Sequence, residues 1–364
     1  MIRNKNRKEE KMRLIDKFDK IFYFREAELD DKEDIMSFIR EFWQNDHILG
    51  NDEGFFLYEH GGKNNTLNFI LAVDRVSGKI QSIQGFIPYS NDEKNLHICG
   101  VISKTHPESL VPFLGLETMK RMLTKLRPSS YCGIGTNPRT MLPLVKKFLK
   151  RHVGVMSHYY MLNPNFSEFK VADPDPKEVS SLIFENKQFD QYNYKIVASF
   201  SEIKNDLLVL KRDDNLPFKS LDYIERRYFQ NPVYTYQVIK VIDENTKAIS
   251  ILVTREIYCN QRLLLNWVDF IGEIDSILSM KKIFQKLICE KNYEYVDCLC
   301  DGVDERIFKE INFKKKNHEG ATIIPTYFEP FIKKNVKIHF EKSSSELIIF
   351  KGDADGDRPS KSIF

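Results

Sequence analysis

The chain has 364 residues, 42% apolar and 29% charged, the make-up of an ordinary globular protein with room for two domains. Lys and Arg number 55 against 52 for Asp and Glu, a formal net charge of +3, which gives no electrostatic ground for a nucleic-acid or membrane-surface partner. No apolar run approaches the ~20 residues that cross a bilayer, and residues 1–20, a basic segment mixed with Glu9 and Glu10, hold no signal-peptide core, so a cytoplasmic protein without membrane insertion is expected.

Taken along the chain, the segment from Asp31 to Trp43 places Ile35, Phe38, Ile39 and Phe42 at helical spacing behind Asp30 and Asp31. A hairpin follows, from Asn68–Val73 to Ile80–Pro88 around Ser77 and Gly78, and then a third strand from Leu96 to Ile102. Leu116, Met119, Leu123 and Leu126 recur every three or four residues, which predicts an amphipathic helix approached by Gly115. A strand from Tyr131 to Gly135, a helix with Leu144, Val145 and Phe148, and a strand from Val155 to Leu162 close the first half.

Asn163-Pro164-Asn165 and Asp173-Pro174-Asp175-Pro176 halt both helix and strand and read as a linker. The second half repeats the order. A helix at Leu221–Phe229 precedes strands at Tyr236–Ile242, Ala248–Ile257 and Leu263–Phe270, a helix with Phe284, Leu287 and Ile288, and a strand at Tyr295–Cys300. The expected division is 1–20, 21–166, 167–345 and a tail, 346–364.

The six cysteines lack the paired spacing of a zinc site, and Cys298 and Cys300, two apart in a strand, point to one face and read as packed thiols. The tail holds Asp353, Asp355 and Asp357 at alternate positions, but no Glu stands at the distance a calcium loop requires. No metal ligand is expected.

Trp43, His47-Ile48-Leu49, Gly85-Phe86-Ile87-Pro88, Gly115-Leu116, Gly133-Ile134-Gly135-Thr136-Asn137 and His158-Tyr159-Tyr160 in the first half, with Arg227-Tyr228, Arg255-Glu256, Val268-Asp269-Phe270 and Asp355-Gly356-Asp357-Arg358-Pro359 in the second, together resemble the tandem-GNAT N-acyltransferases of surface-polysaccharide biosynthesis. The likeness runs from about residue 20 to 360 and is greatest to the anthrose-pathway type, which acylates a dTDP-linked 4-amino-4,6-dideoxyhexose. It implies an α/β fold, mixed sheets with helices on both faces, in two tandem GNAT-type domains. It also implies acyl-CoA as co-substrate, no permanently bound cofactor, and a nucleotide-linked amino sugar as acceptor, dTDP in preference to UDP, in a chain that can form a homo-oligomer.

Gly115 and Leu116, at a helix start whose first amides are unpaired, are the expected pyrophosphate contact, although the usual fingerprint survives only in its last glycine. Asn137 sits where this family holds the pantetheine arm, and would serve equally as a helix cap. The usual tyrosine seven residues on is replaced by Leu144. The resemblance puts acids from both domains at the acceptor amine: Asp92 or Glu93, and Glu305. Asp92 and Glu93 also fit a solvated turn, and Glu305 a favourable helix start. His47 and Asp269 are expected to line the acceptor pocket, Tyr228 lies beside it, and Arg227 and Arg358 suit a diphosphate or a salt bridge. A Fem-type aminoacyl transfer enzyme and a catalytically silent scaffold pair remain open as alternatives.

Overall fold

The computed structural model describes residues 17–180, 194–243, 246–328 and 331–361. The first sixteen residues, and the side chain of Glu93, lie outside it.

The first half builds β1 (Phe22–Glu28), α1 (Lys32–Phe42), α2 (Glu53–His60), β2 (Thr66–Asp74), β3 (Ile80–Pro88), β4 (His97–Thr105), α3 (Leu114–Leu126), β5 (Ser130–Ile134) and β6 (His152–Val155). Side-chain alternation in β2 divides two cores, because successive residues face opposite ways. Phe69 and Leu71 pack with Ile35, Phe38, Phe55 and Phe56 of α1 and α2, whereas Ile70 packs with Met119 and Met122 of α3. The sheet is therefore sandwiched, and each fully buried aromatic or aliphatic side chain contributes roughly 1.5–3 kcal/mol.

The second half builds β8 (Tyr194–Val197), α4 (Leu221–Phe229), β9 (Gln237–Ile242), β10 (Ile249–Cys259), β11 (Arg262–Ile271), α5 (Lys281–Glu290), β12 (Tyr293–Asp301), α6 (Glu305–Glu310) and β13 (Lys314–Lys315). Trp267 is its centre, fully buried among Phe284, Phe308, Phe313 and Phe350. Cys298 and Cys300 share that core, as their spacing predicts.

The sheets do not divide where the linker would divide them. The apolar run from Val155 to Leu162 breaks at Met156: β6 stays in the first sheet, while β7 (Ser157–Leu162) crosses into the second, between β12 and β13. In exchange, β16 (His339–Lys342) returns from the far end of the chain and lies between β5 and β6. The first sheet runs β1-β2-β3-β4-β5-β16-β6 and the second β13-β7-β12-β11-β10-β9-β8. A short pair, β14 (Tyr327–Phe328) and β15 (Phe331–Ile332), lies apart, and β17 (Ile349–Phe350) pairs with β12.

Candidate functional site

Each sheet contains one parallel pair of neighbours that starts together and then parts. β4 and β5 are paired from His97↔Ser130 to Cys99↔Cys132. β11 and β12 are paired from Leu263↔Tyr293 to Trp267↔Cys298. Beyond those points, backbone groups on the facing edges lack a strand partner and must find one elsewhere.

In the second sheet the chain supplies the partner itself. Residues 349–353 enter the opening, with Phe350 paired to Cys300 and stacked on Trp267, and Gly352 so close to β11 that a Cβ would stand 3.0 Å from the Val268 carbonyl oxygen. A buried ionic cluster locks the segment: Lys219 Nζ lies 2.6 Å from Asp269 and 2.6 Å from Asp353, and Tyr228 donates to the same Asp269. Asp353 is raised to about 6 by burial, which Lys219 opposes.

In the first sheet the opening is a cleft of about 700 Å³, lined by Gly100 and Val101 on β4, Gly133 and Ile134 on β5, Asn137 beyond it, and Asp355. Asn137 lines the cleft, and its Oδ1 accepts from the backbone N–H of Arg139 at 2.9 Å and of Thr140 at 3.2 Å. Gly115 and Leu116 lie in the first turn of α3, whose N-cap, Phe113, is left-handed and gives no side-chain cap. Gly115 is required there, since a Cβ would come within 2.8 Å of Thr105 Oγ1 at the end of β4. The Phe113 ring meets Phe148 at 5.9 Å, and Lys147 lies over Phe148, so a cation stands near this helix start.

After Gly352 the chain crosses between the halves. Tyr89 OH and Cys132 Sγ both donate to the Asp353 carbonyl oxygen, Asp357 pairs with Arg255, and Ser360 accepts from Ile48 N at 3.1 Å. This strap separates the cleft from a second cavity of about 210 Å³, lined by His47, Tyr234, Arg255, Tyr327, Phe328 and Arg358, among others. Three residues, Ile134, Gly135 and Asp355, line both cavities. Asp355 is therefore the acid at the junction. It is partly buried, and burial raises its pKa against the pull of Arg358, 3.0 Å away. Arg358 is itself held by Glu59 at 2.8 Å. Burial lowers His47 to about 3, with Arg358 adding to the effect, so its ring is neutral and accepts from Leu49 N.

Of the residues singled out from sequence, the two cavities gather Asn137, His47 and Arg358, with Gly115 and Leu116 at the helix next to the cleft. Arg227 is buried, donates to the Asp357 carbonyl oxygen at 3.1 Å and lines a separate cavity of about 240 Å³ between α2 and α4. Tyr228 and Asp269 are enclosed in the Lys219 cluster, an ordinary structural use for an acid in an apolar strand. Asp92 is exposed and caps a short turn by accepting from Lys94 N; Glu93 begins that turn. Glu305 is half-buried at the start of α6, where Lys309 and Lys315 lower its pKa. Neither Asp92 nor Glu305 lines the cleft or the cavity beyond the strap.

Sequence inspection missed Asp355 and Glu341. Asp355 was visible as one of three alternating acids and as the head of the Asp355-Gly356-Asp357-Arg358-Pro359 run, without a role of its own; Asp353 and Asp357 are buried ion-pair partners. Glu341 carried no signal at all: it reaches the cleft because β16 is inserted beside β5. Among the described residues no helix is long and apolar enough to cross a membrane, and no group of three or more His, Cys, Asp or Glu could hold a metal ion.

No family model and no curated protein matches the chain. Among solved structures it is similar to a conserved protein of Enterococcus faecalis described as a probable N-acyltransferase, at 10% identity and a TM-score of 0.54, over 90% of this chain and 73% of that one. Saccharomyces cerevisiae N-myristoyltransferase with bound myristoyl-CoA aligns at 10% identity and a TM-score of 0.44, over 88% of this chain and 78% of that one. At these identities the likeness is one of fold, and the fold is α/β, two tandem GNAT-type domains with mixed sheets.

Proposed function

We propose that this protein is an acyl-CoA-dependent N-acyltransferase that moves a short acyl group to the amine of a nucleotide-linked amino sugar. The observation that carries the reading is the open strand pair, whose cleft of about 700 Å³ meets a second cavity at one carboxylate, Asp355. An open strand edge offers unpaired backbone groups to a pantetheine arm, and Asn137 lies along it. The start of α3 at Gly115 and Leu116 suits the pyrophosphate, because helix dipole and free amides favour an anion there.

The acceptor enters from the cavity beyond the strap, between His47, Arg358 and the aromatic side chains Tyr234, Tyr327 and Phe328. Its ammonium group loses a proton to Asp355, whose burial makes it a better base than a solvated carboxylate. The freed amine attacks the thioester carbonyl carbon, the new C–N bond forms as the C–S bond breaks, and CoA leaves as the thiolate, which takes up the second proton released by the amide nitrogen. The description of the Enterococcus protein of the same fold as a probable N-acyltransferase agrees with this chemistry. Sugar and nucleotide are supported by the sequence resemblance and by the polar and aromatic lining of the acceptor cavity.

Acyl transfer from acetyl-CoA and longer acyl-CoAs to dTDP- and UDP-linked amino sugars is the direct test. Asp355→Asn keeps the shape of the side chain and should lower kcat at least ~100-fold, the usual contribution of a general base. A rate within a few-fold of wild type would remove Asp355 from the reaction. Transfer to no amino sugar, with acyl-CoA still bound, would leave the cleft assigned and the acceptor wrong.

A further inference from the structure

The first half carries its charge unevenly. The whole chain is balanced to a net +3, yet from Thr118 to Ser167 there is no Asp or Glu against nine Lys and Arg. Three of the nine are held within the fold, Lys120 and Arg121 by Glu117 and Lys125 by Glu26. Arg139, Lys146, Lys147 and Lys150 are exposed, and none of them forms an ion pair among the described residues.

Their place is the mouth of the cleft. Arg139 stands between Pro138 and Thr140, which line the cleft, and Lys104 lines it from β4. Residues 141–149 coil into a short helix after β5. Val145 and Leu149 share a core with Met119 and Met122 of α3, which leaves Lys146, Lys147, Phe148 and Lys150 turned outward. Phe148 is 51% exposed and meets Phe113, the N-cap of α3, itself 53% exposed. Leu110, three residues before Phe113, is 93% exposed. Phe113 also holds a left-handed backbone, φ 68°, which costs a bulky residue about 1–2 kcal/mol that glycine would not incur. The ring so placed stands half out in solvent against another exposed ring. Apolar side chains gathered at one mouth and rimmed by unpaired cations have the make-up of a protein-binding surface.

We propose that this mouth docks an acidic acyl-carrier protein, whose phosphopantetheine arm brings the thioester into the cleft. This rests on the thioester cleft of the reading above and adds a protein carrier, beside free CoA, as donor. Carboxylates of the carrier meet the lysines, and apolar side chains beside its arm cover Leu110, Phe113 and Phe148. Free CoA meets the cations with its phosphates, but its adenine covers one ring at most and leaves Leu110 in water. An anionic membrane would cover all three apolar residues and close the mouth to the donor. A carrier covers them and brings the arm with it. The single phosphodiester of the arm falls to the amides at Gly115 and Leu116, where an anion is favoured. The transfer is otherwise unchanged: the C–S bond broken is that of the arm, whose sulfur ends as the thiol.

Calorimetric titration of the full chain with CoA and with a bacterial fatty-acid-synthesis acyl-carrier protein bearing its phosphopantetheine arm tests this without an acceptor. The armed carrier should bind at least ~10-fold more tightly than CoA at low salt, and its affinity should fall at least ~3-fold from about 50 to 200 mM salt, because exposed charge pairs are screened. Lys146→Glu combined with Lys150→Glu should weaken the carrier roughly tenfold and leave CoA within about twofold; Leu110→Ser should weaken the carrier about threefold with the same selectivity. A carrier that binds no more tightly than CoA overturns the inference. So does an equal loss of both ligands in the variants, which would assign the lysines to the phosphates of CoA, and so does binding to phosphatidylglycerol–phosphatidylcholine vesicles in preference to the carrier. Should the charge-reversed variant fail to fold, the wild-type ratio and Leu110→Ser still decide. A wild type that binds neither CoA nor the armed carrier defeats the thioester reading itself, whereas one that binds CoA alone defeats only this inference.

Discussion

The two openings in the two sheets begin alike and end differently. Between β11 and β12 the chain fills the gap with its own residues 349–353, whereas between β4 and β5 it leaves a cleft. The same strand geometry is thus used once for stability and once for binding. The filled opening is where the ionic cluster sits, with every charge of Lys219, Asp269 and Asp353 drawn to a partner. The open one is where unpartnered polar atoms remain, at Gln84 and Glu341.

That contrast can be broken most forcefully at Lys219. Lys219→Met strands two buried carboxylates and should destabilise the fold by about 3–5 kcal/mol, read as a lowered denaturant midpoint; a change below ~1 kcal/mol would mean that the cluster does not hold the strap. Phe350→Ala removes the ring that stacks on Trp267 and should cost about 3 kcal/mol, again with no direct contact to the open cleft.

On the open side, Glu341 holds its proton up to about pH 7 in the folded chain but releases it near 4.5 when unfolded. The folded state binds more protons across that window, so it loses stability as pH rises from 4.5 to 7. Glu341→Gln removes this loss and should gain on the wild type with rising pH, by on the order of 2 kcal/mol, in a series of melting temperatures. Parallel curves would show that Glu341 is not so perturbed. The smallest expected effect is at Asn137. Asn137→Ala deletes the cap to Arg139 and Thr140, costing about 1 kcal/mol, and should weaken acyl-CoA; stoichiometry in the same titration should stay at one site per chain, since two sites would contradict a filled second opening.

Much of the second half was legible in sequence. Leu221–Phe229 forms a helix at the predicted bounds, and β9 to β12 lie within a few residues of the expected strands, because a long apolar run beside a turn has few alternatives. Asp269, an acid in such a run, announced a partner without saying which; Lys219 is fifty residues away in sequence. The exchange of β7 for β16 was not legible. An apolar strand looks the same whichever sheet it completes, and His339–Lys342 is short, with Phe340 its one apolar residue. Asp355 was hidden for a related reason. Three aspartates of identical chemistry alternate in the tail, all three in ion pairs, and only the path of the strap buries Asp353 and Asp357 and places Asp355, with Arg358, at the junction of the cavities.

The strand exchange also sets a timetable for synthesis. Domains of a growing chain ordinarily fold in order, N-terminal first. Here the first sheet has a gap between β5 and β6 until β16 emerges, and β16 emerges only after nearly all of the second half. A nascent chain halted between β6 and residue 339 presents the bare edges of β5 and β6 to its neighbours. Glu341 and Asp355 arrive with β16 or after it, so a product truncated before β16 would lack both the closed sheet and the two acids of its cleft.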